Sequence, residues 1–303
     1  MARSRVRFIL CAVVLAFPAL ATGADCPPEG HDAASLQALR AEGFAVEDAA
    51  ARQALALSLV ECLADPDPAL RDGVAYEALA TWLRADVLDA DTRRGLLDAL
   101  LPRIAPGAEP DEGFRAPFAA LALSEIARTD RIAAWLDPAA RDTLVEAAAA
   151  YVESVEDYRG FDETAGWRHG VAHGADLLMQ LVLNAAVTDT QKRRLLDAVA
   201  TQVAPAGEHF YVYGEPERLA RPVLFVLGGK AIGLDDWKAW LQGVAAPAPL
   251  ATWRDAYASQ AGLAKRHNTR AFLLALYAGT LGSDDPAMQA YAAAVAEVLR
   301  TVG

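Results

Sequence analysis

The spacing of apolar residues is the feature that most constrains how this chain can fold. From Pro28 almost to the C-terminal end, apolar residues recur at helical intervals, and Pro, Gly and Asp residues interrupt them regularly. Strand-like alternation of apolar and polar residues is nearly absent, so the pattern predicts an all-α fold. The predicted helices are 33–63, 67–84, 89–105, 113–128, 137–155, 165–184, 188–204, 215–228, 233–243, 252–264, 268–280 and 284–301.

Internal similarity suggests how these helices are arranged. Residues 94–106 resemble residues 193–205, and Gly73-Val74-Ala75 recurs as Gly170-Val171-Ala172. A third resemblance links segments that open with arginine and continue with apolar residues, at Arg115, Arg221 and Arg270. Stacked helix pairs produce such repeats, because each pair buries its apolar face only against its neighbours. We therefore expect a helical-repeat, HEAT-like curved array or a closed α/α ring, with chance similarity among Leu- and Ala-rich helices as the alternative.

The N-terminal segment has the pattern of a signal peptide. Residues 1–7 are basic, residues 8–21 are apolar, and small residues follow. The sequence predicts a removable signal peptide at 1–23, one helical domain at 24–303, and a periplasmic or secreted protein without a membrane span after processing. An uncleaved anchor or a buried N-terminal helix is the alternative.

The cysteines agree with export. Cys11 lies in the leader, which leaves Cys26 and Cys62 as an even pair in an oxidising compartment. A disulfide between them would stabilise the fold by about 3 to 4 kcal/mol through the entropy of the unfolded chain. Two unlinked thiols remain the alternative at this stage.

Charge limits the classes of partner. The chain has 40 acidic and 28 basic side chains and a formal charge of -12, and loss of the leader arginines makes the remainder more negative. Because such a body repels phosphate backbones and anionic lipids, we expect no nucleic-acid partner and no membrane-surface binding.

One predicted helix carries an unusual polar stripe. His169, His173, Asp176 and Gln180 are spaced four, three and four residues apart on an otherwise small or apolar helix. A solvent-facing stripe would normally carry Lys, Glu or Arg. We therefore expect this stripe to line a cavity.

Three roles are compatible with the stripe. His169 and His173 could share a divalent metal, with Asp176 as a third ligand or as an orienting group, although no cofactor is required. His173 and Asp176 could instead form a general acid/base pair. The third role is a buried hydrogen-bond network that fixes the helix register. A zinc-protease motif is excluded, because Gly170 rather than Glu follows His169.

Further polar and aromatic residues flank the stripe and could converge on the same pocket. They are Arg159, Asp162, Trp167, His209, Tyr213 and His267. Glu215-Pro216-Glu217 is interpreted first as a helix N-terminus, and His267-Asn268 as a helix cap. A Gly-x-Ser-x-Gly nucleophile motif is absent from the sequence.

Several of these segments together resemble a bacterial family called domain of unknown function 2785. The similarity rests on residues 157–161, Gly166-Trp167, His169, residues 172–178 and residues 215–218, within a region from about Asp67 to the C-terminus. The resemblance implies a helical-repeat protein without an assigned activity, and it marks His169, His173 and Asp176 as part of a family signature.

Two functions follow as hypotheses. The first is a binding or scaffold protein whose concave pocket holds a small polar ligand or a peptide, with ligand-binding residues His169, His173, Asp176, Arg159, Trp167 and His267. The second is an α/α-ring hydrolase or lyase that acts on a periplasmic glycan or peptide. Its candidate catalytic residues are His173 with Asp176 or Asp162, and a metal could assist.

Overall fold

The computed structural model describes residues 26–107 and 112–303, and this part of the chain is all-α, as predicted. The predicted signal peptide at 1–23 lies outside the described residues. The only strands in the described part, β1 (Phe161–Asp162) and β2 (Gly166–Trp167), form a short antiparallel hairpin. The α-helices are α1 Ala33–Ala41, α2 Ala49–Ser58, α3 Pro68–Leu70, α4 Glu77–Arg84, α5 Ala90–Leu100, α6 Arg115–Ile132, α7 Pro138–Ser154, α8 Gly170–Val182, α9 Asp189–Val203, α10 Glu215–Gly228, α11 Leu234–Val244, α12 Gln260–Thr280 and α13 Pro286–Val302.

The helices pack in an order that follows the chain. Helices α4, α6, α8, α10 and α12 contact one another in succession, and α5, α7, α9 and α13 each contact at least one member of that row. The apolar core takes residues from both sets of helices and from α1, α2 and α11, as expected when each helix buries one stripe against a neighbour. The repeat inferred from the similarity between α5 and α9 stays a prediction.

The N-terminal region is more broken than the sequence predicted. One helix was expected over 33–63, but α1 and α2 are separate and a 3₁₀ turn follows at Glu61–Ala64. Gly43 and Phe44 have φ angles of 68° and 62°, in the left-handed region that cannot continue a right-handed helix. The side chain of Asp48 then caps α2 by accepting a hydrogen bond from the Ala51 amide at 3.0 Å.

The predicted disulfide is confirmed. Cys26 and Cys62 are bonded, with their Cα atoms 5.0 Å apart. Cys62 is fully buried in the 3₁₀ turn after α2. The bond therefore fixes the start of the described chain to the apolar core.

The C-terminal region is more continuous than predicted. A 3₁₀ turn at Trp253–Ala258 precedes one long helix, α12, where two helices were expected. The cap is Ser259, which accepts a hydrogen bond from the Gly262 amide at 3.0 Å. His267 and Asn268 therefore lie inside a helix, and the interpretation of them as a cap was wrong. Arg221 and Arg270 also lie within helices, whereas Arg115 does begin α6.

Helix α8 is the central element for the candidate site. It starts at Gly170 rather than at 165, because residues 161–167 form the hairpin. Its glycines allow close packing: a Cβ atom at Gly174 would lie only 2.8 Å from the Cγ2 atom of Val152 on α7. Among the helices of residues 26–107 and 112–303, none is long and apolar enough to cross a membrane.

Candidate functional site

His169 lies immediately before α8 in a strained conformation. Its φ and ψ angles are 60° and 35°, which is the left-handed region that a histidine rarely adopts. Its imidazole stacks on the Trp167 indole, with ring centres 4.5 Å apart and an angle of 17° between the rings. The hairpin and the helix start therefore hold this side chain in one position.

His173 lies one helical turn further and belongs to the interior. Its side chain is only 7% exposed, and its ring packs edge-on against Phe118 at 5.1 Å. The His169 and His173 ring centres are 5.9 Å apart. Trp167, His169, His173 and Phe118 thus form a continuous row of rings from the surface into the core, which we call the histidine column.

Asp176 is paired with an arginine of a neighbouring helix. The Arg218 Nε atom donates to Asp176 Oδ1 at 2.9 Å, and Arg218 Nη2 donates to Asp176 Oδ2. Gln180 likewise accepts a hydrogen bond from Arg131 Nε at 3.0 Å. The predicted stripe therefore divides into two histidines that pack with aromatic rings and two polar residues that bind arginines of α6 and α10.

Both column histidines are neutral at ordinary pH. Burial, reinforced by the positive charge of Arg218, lowers the pKa of His169 to about 4. Burial, followed by the proximity of His169 and Arg218, lowers the pKa of His173 to about 3. The Nδ1 atoms of both rings are buried and have no hydrogen-bond partner in the described chain.

The arrangement offers a pair of nitrogen ligands rather than a larger metal centre. Within residues 26–107 and 112–303, no three His, Cys, Asp or Glu side chains come together as metal ligands. Asp176, the predicted third ligand, is bonded to Arg218 instead. The metal hypothesis for His169 and His173 therefore reduces to these two imidazoles.

A cavity of about 400 Å³ lies beside the column, and we call it the aromatic cleft. It is lined by Tyr158, Arg159, Gly160, Phe161, Asp162, Arg168, His209 and Tyr213. His209 stacks on Tyr158, with ring centres 5.2 Å apart. The Tyr213 ring occupies the space that a side chain at Gly160 would need, so glycine is required there. Tyr213 also contacts Trp167 edge-on at 5.7 Å, which connects the cleft to the column.

The two arginines of the cleft, Arg159 and Arg168, differ in their hydrogen-bond and ion-pair partners. Arg159 is paired with Asp157, at 2.8 Å between Nε and Oδ1. Arg168 donates from Nε to the Glu112 carbonyl at 2.8 Å, and its guanidinium lies 4.3 Å over the Phe114 ring. Its two terminal nitrogens donate no hydrogen bond to any described residue. Arg168 lines the cleft, and these two nitrogens, the Arg168 fork, are its remaining hydrogen-bond donors.

Asp162 has a structural task in the hairpin. Its Oδ1 atom accepts hydrogen bonds from the amides of Thr164 and Ala165, at 2.9 Å and 2.7 Å. These backbone hydrogen bonds lower the pKa of Asp162. The carboxylate thus closes the turn that connects β1 to β2 and remains ionised.

His267 and its neighbour hold the far wall of the cleft. The exposed His267 ring contacts Phe210, and its Nε2 atom lies 3.3 Å from the Tyr211 carbonyl oxygen. Buried Asn268 accepts a hydrogen bond from the Tyr211 amide at 2.9 Å and donates one to the His209 carbonyl at 3.0 Å. Helix α12 thereby fixes the segment that carries His209 and Tyr213.

The structure brings some of the predicted residues together and separates others. Arg159, Asp162, His209 and Tyr213 meet in the cleft, Trp167, His169 and His173 form the adjoining column, and His267 stands behind the His209 segment. Sequence reasoning did not name Arg168, interpreted Asn268 as part of a helix cap, and did not pair Arg218 with Asp176. The one available signal in the sequence was Asn268, a polar residue on the apolar face of a long helix. Because it was interpreted as a cap, its contact with residues 209–211 was not predicted.

The fold and these features define an all-α protein with an aromatic cleft beside a buried histidine pair. The model of the family described as "Protein of unknown function (DUF2785)" matches residues 100–278, more than half of the chain, and the chain therefore belongs to this family. The matched segment contains both the cleft and the column. No curated protein and no solved structure is significantly similar to the chain.

Proposed function

We propose that this is an exported binding protein that holds a small polar ligand in the aromatic cleft. The observation that carries the proposal is a cavity of about 400 Å³ with ring walls and one arginine, Arg168, whose Nε atom donates to the Glu112 carbonyl while its two terminal nitrogens donate no hydrogen bond within the described chain. Ligand sites typically combine apolar and aromatic walls with a few polar groups that fix orientation. The disulfide between Cys26 and Cys62 supports export, because such bonds persist in oxidising compartments.

The cleft walls favour a ligand with a flat face and a polar edge. Tyr158, Phe161 and Tyr213 offer ring surfaces that can cover the apolar face of a sugar or of an aromatic side chain. The Arg168 fork can donate two parallel hydrogen bonds to a carboxylate or to neighbouring hydroxyls. Such a ligand would gain both packing and orientation.

The hydrolase or lyase alternative has less support from the geometry. It requires two titratable groups on either side of one substrate bond. His173 is nearly inaccessible, Asp176 is bound to Arg218, and the lowered pKa of Asp162 makes that carboxyl a poor proton donor. Binding without turnover is therefore the function that these residues support best.

Calorimetric titration with defined probes tests the proposal. The probes are glucose, glucuronate, cellobiose, phenylalanine and a phenylalanine-containing dipeptide. We expect saturable binding of at least one probe and a loss of about tenfold in affinity in Tyr213→Ala, the effect of removing one stacking ring. Val212→Ala is the matched control, because Val212 is the exposed neighbour and does not line the cleft. Absence of binding for the whole panel, or equal affinity in Tyr213→Ala, would overturn the proposal.

Arg168→Gln separates the contribution of charge from that of stacking. If the fork contacts the ligand, this variant should weaken an anionic probe such as glucuronate more than the neutral probe glucose. Arg159→Gln serves as the comparison, because Arg159 is already paired with Asp157. An equal effect of the two substitutions on both probes would remove Arg168 from the binding contacts.

A further inference from the structure

Two opposite charges line the aromatic cleft without pairing with each other. The charge of Arg168 contributes, after backbone hydrogen bonds from Ala165 and Thr164, to the lowered pKa of Asp162, so the two side chains lie within electrostatic reach. In the described part of the chain they nevertheless form no mutual ion pair. Arg168 Nε donates to the Glu112 carbonyl instead, and Asp162 Oδ1 accepts from the hairpin amides. Each side chain therefore keeps hydrogen-bonding capacity for a ligand.

The remaining atoms of these two side chains define the polarity of the ligand. The Arg168 fork can only donate hydrogen bonds, and Asp162 Oδ2, which accepts none from a described residue, can only accept them. A hydroxyl group both donates and accepts, so a ligand with several hydroxyls can serve both side chains together. A carboxylate can serve Arg168 but is repelled by Asp162. The two side chains therefore favour a neutral, polyhydroxylated ligand over an anionic one.

The surrounding structure holds both side chains in place before a ligand binds. The Arg168 guanidinium lies 4.3 Å over the Phe114 ring, and the Arg71 guanidinium lies 3.9 Å over the same ring. Arg71 is fully buried, and its Nη2 atom donates to the Ala165 carbonyl at 2.7 Å. Arg71 therefore connects the support of Arg168 to the hairpin turn that Asp162 closes. Groups that are already positioned lose less conformational entropy when they bind a ligand.

A row of exposed rings continues from the cleft onto the protein surface. Tyr213 and Phe161 line the cleft, and both contact the Trp167 indole, with ring centres 5.7 Å and 5.0 Å away. The exposed fractions are 38% for Tyr213, 47% for Phe161 and 38% for Trp167. Trp167 itself does not line the cavity. A monosaccharide in the cleft would therefore leave Trp167 uncovered, whereas a longer ligand would cover it.

A glycan combines the two requirements, because a pyranose ring has hydroxyl groups at its edge and an apolar C–H face that packs on aromatic rings. The strands β1 and β2, each two residues long, offer a peptide too short an edge for strand pairing. We propose that the ligand of the aromatic cleft is a neutral glycan chain of β-linked pyranoses, with one sugar ring in the cleft and the next on Trp167. The inference rests on the proposed function, since the first ring occupies the cleft.

The dependence of affinity on chain length tests the position on Trp167. Calorimetric titrations of the full chain compare glucose with cellobiose and cellotriose, and N-acetylglucosamine with its β-linked dimer and trimer. In at least one series the dimer should bind about threefold to tenfold more tightly than the monomer, the effect of covering one further ring. Equal affinity of monomer and dimer in both series, or binding of phenylalanine but of no sugar, overturns the inference and leaves the proposed function standing. Absence of binding for all probes overturns both.

Ring variants decide whether Trp167 causes the gain in affinity from monomer to dimer. Trp167→Ala should remove most of this gain and weaken the dimer by a larger factor than the monomer. Phe225→Ala is the matched control, because Phe225 is 44% exposed on α10 and does not line the cleft, and it should keep the gain. If Trp167→Ala does not fold, as judged by its melting curve, exposed Phe161 decides the outcome, and Phe161→Ala should reduce the gain. An unchanged gain in the folded variant overturns the inference.

The sign of the effect of Asp162→Asn distinguishes a glycan from a peptide with a carboxylate. The asparagine oxygen can still accept the hydrogen bonds of the hairpin turn, so the variant removes mainly the negative charge. Sugar binding should weaken by about tenfold through loss of a charged acceptor. Binding of the phenylalanine-containing dipeptide should strengthen, because repulsion is lost. Glu163→Gln, which removes the adjacent exposed charge outside the cleft, is the control and should change neither. Stronger dipeptide binding with unchanged sugar binding in Asp162→Asn overturns the inference in favour of a peptide ligand.

Discussion

Two buried polar groups, Asp130 in α6 and His173 in the neighbouring α8, differ in how their hydrogen bonds are satisfied. Asp130, which is 2% exposed, accepts hydrogen bonds from the amides of Trp135 and Leu136, from the Arg141 guanidinium and from the Asn184 amide. His173, equally interior, has an Nδ1 atom with no such bond in the described residues. The Asp130 carboxylate therefore has a complete set of hydrogen bonds, whereas the His173 ring does not.

This difference predicts unequal contributions of the two groups to stability. A fully satisfied network in a low-dielectric interior rigidifies the fold and loses much when one member is removed. A group whose hydrogen bonds are incomplete gives little to stability by itself. The Asp130 network should therefore contribute much more to the free energy of unfolding than the histidine column does.

The largest expected effect comes from Asp130→Ala. The substitution leaves Arg141, itself almost fully buried, without its counter-ion, and should lower the free energy of unfolding by about 3 to 5 kcal/mol. Urea denaturation followed by circular dichroism measures this. The control is Glu77→Gln, which breaks the exposed pair with Arg40 and should cost about 1 kcal/mol or less. A similar small loss for both variants would contradict the structural role of the network.

The pH dependence of the free energy of unfolding should distinguish the two histidines from Asp130, because their contributions are lost in different pH ranges. The folded pKa values of His169 and His173 lie below the unfolded value, so the unfolded chain takes up protons first as the pH falls below about 6.5. Each histidine should then cost on the order of 2 kcal/mol between pH 6.5 and pH 5. Burial opposes ionisation of Asp130, but hydrogen bonds from Arg141 and backbone amides lower its pKa, so its contribution is lost only in more acidic solution.

A double variant of the two histidines tests whether they cause the loss of stability between pH 6.5 and pH 5. In His169→Gln/His173→Gln, the decline of unfolding free energy between pH 6.5 and pH 5 should become shallower, while the loss at lower pH remains. Denaturant titrations at closely spaced pH values give both slopes. An unchanged slope above pH 5 would show that the two rings are not buried in the neutral form.

The smallest expected effect is that of His173→Leu. Replacing an unsatisfied ring by an apolar side chain removes its desolvation penalty, so the free energy of unfolding should change by less than about 1 kcal/mol or rise. Asn184→Leu is the matched comparison, because it removes a donor to Asp130 and should cost about 1 to 3 kcal/mol. Equal losses, measured by thermal and urea unfolding, would place His173 in a completed network.

Much of the fold could be predicted from local signals. The range predicted for α10, 215–228, matches the structure because Glu215-Pro216-Glu217 is a strong start and Gly228-Gly229 a strong stop. The range 33–63 failed because the left-handed residues Gly43 and Phe44 lie within an otherwise helical pattern. The predicted start of α8 was wrong because Gly166-Trp167 pairs with Phe161–Asp162 in a hairpin. The helical periodicity of the sequence alone does not reveal this pairing.

The candidate site could be predicted only in part, because its contacts join distant residues. The residue types of the stripe were informative, and the structure places His169 and His173 side by side. The hydrogen bond from Arg218 to Asp176 spans 42 residues, and the one from the Tyr211 amide to Asn268 spans 57. Helical spacing does not identify such distant partners. The neutral state of His169 and His173 and the presence of the aromatic cleft therefore follow only from the three-dimensional structure.

The attachment of Asn268 to residues 209–211 has a consequence for the order of events in the cell. The wall that carries His209 is held by a side chain almost sixty positions further along, in the penultimate helix. A growing polypeptide lacks that anchor, so this wall of the cleft is unfinished until Asn268 has emerged. If the cleft binds a ligand as proposed, binding should begin only after the segment that contains Asn268 has been made.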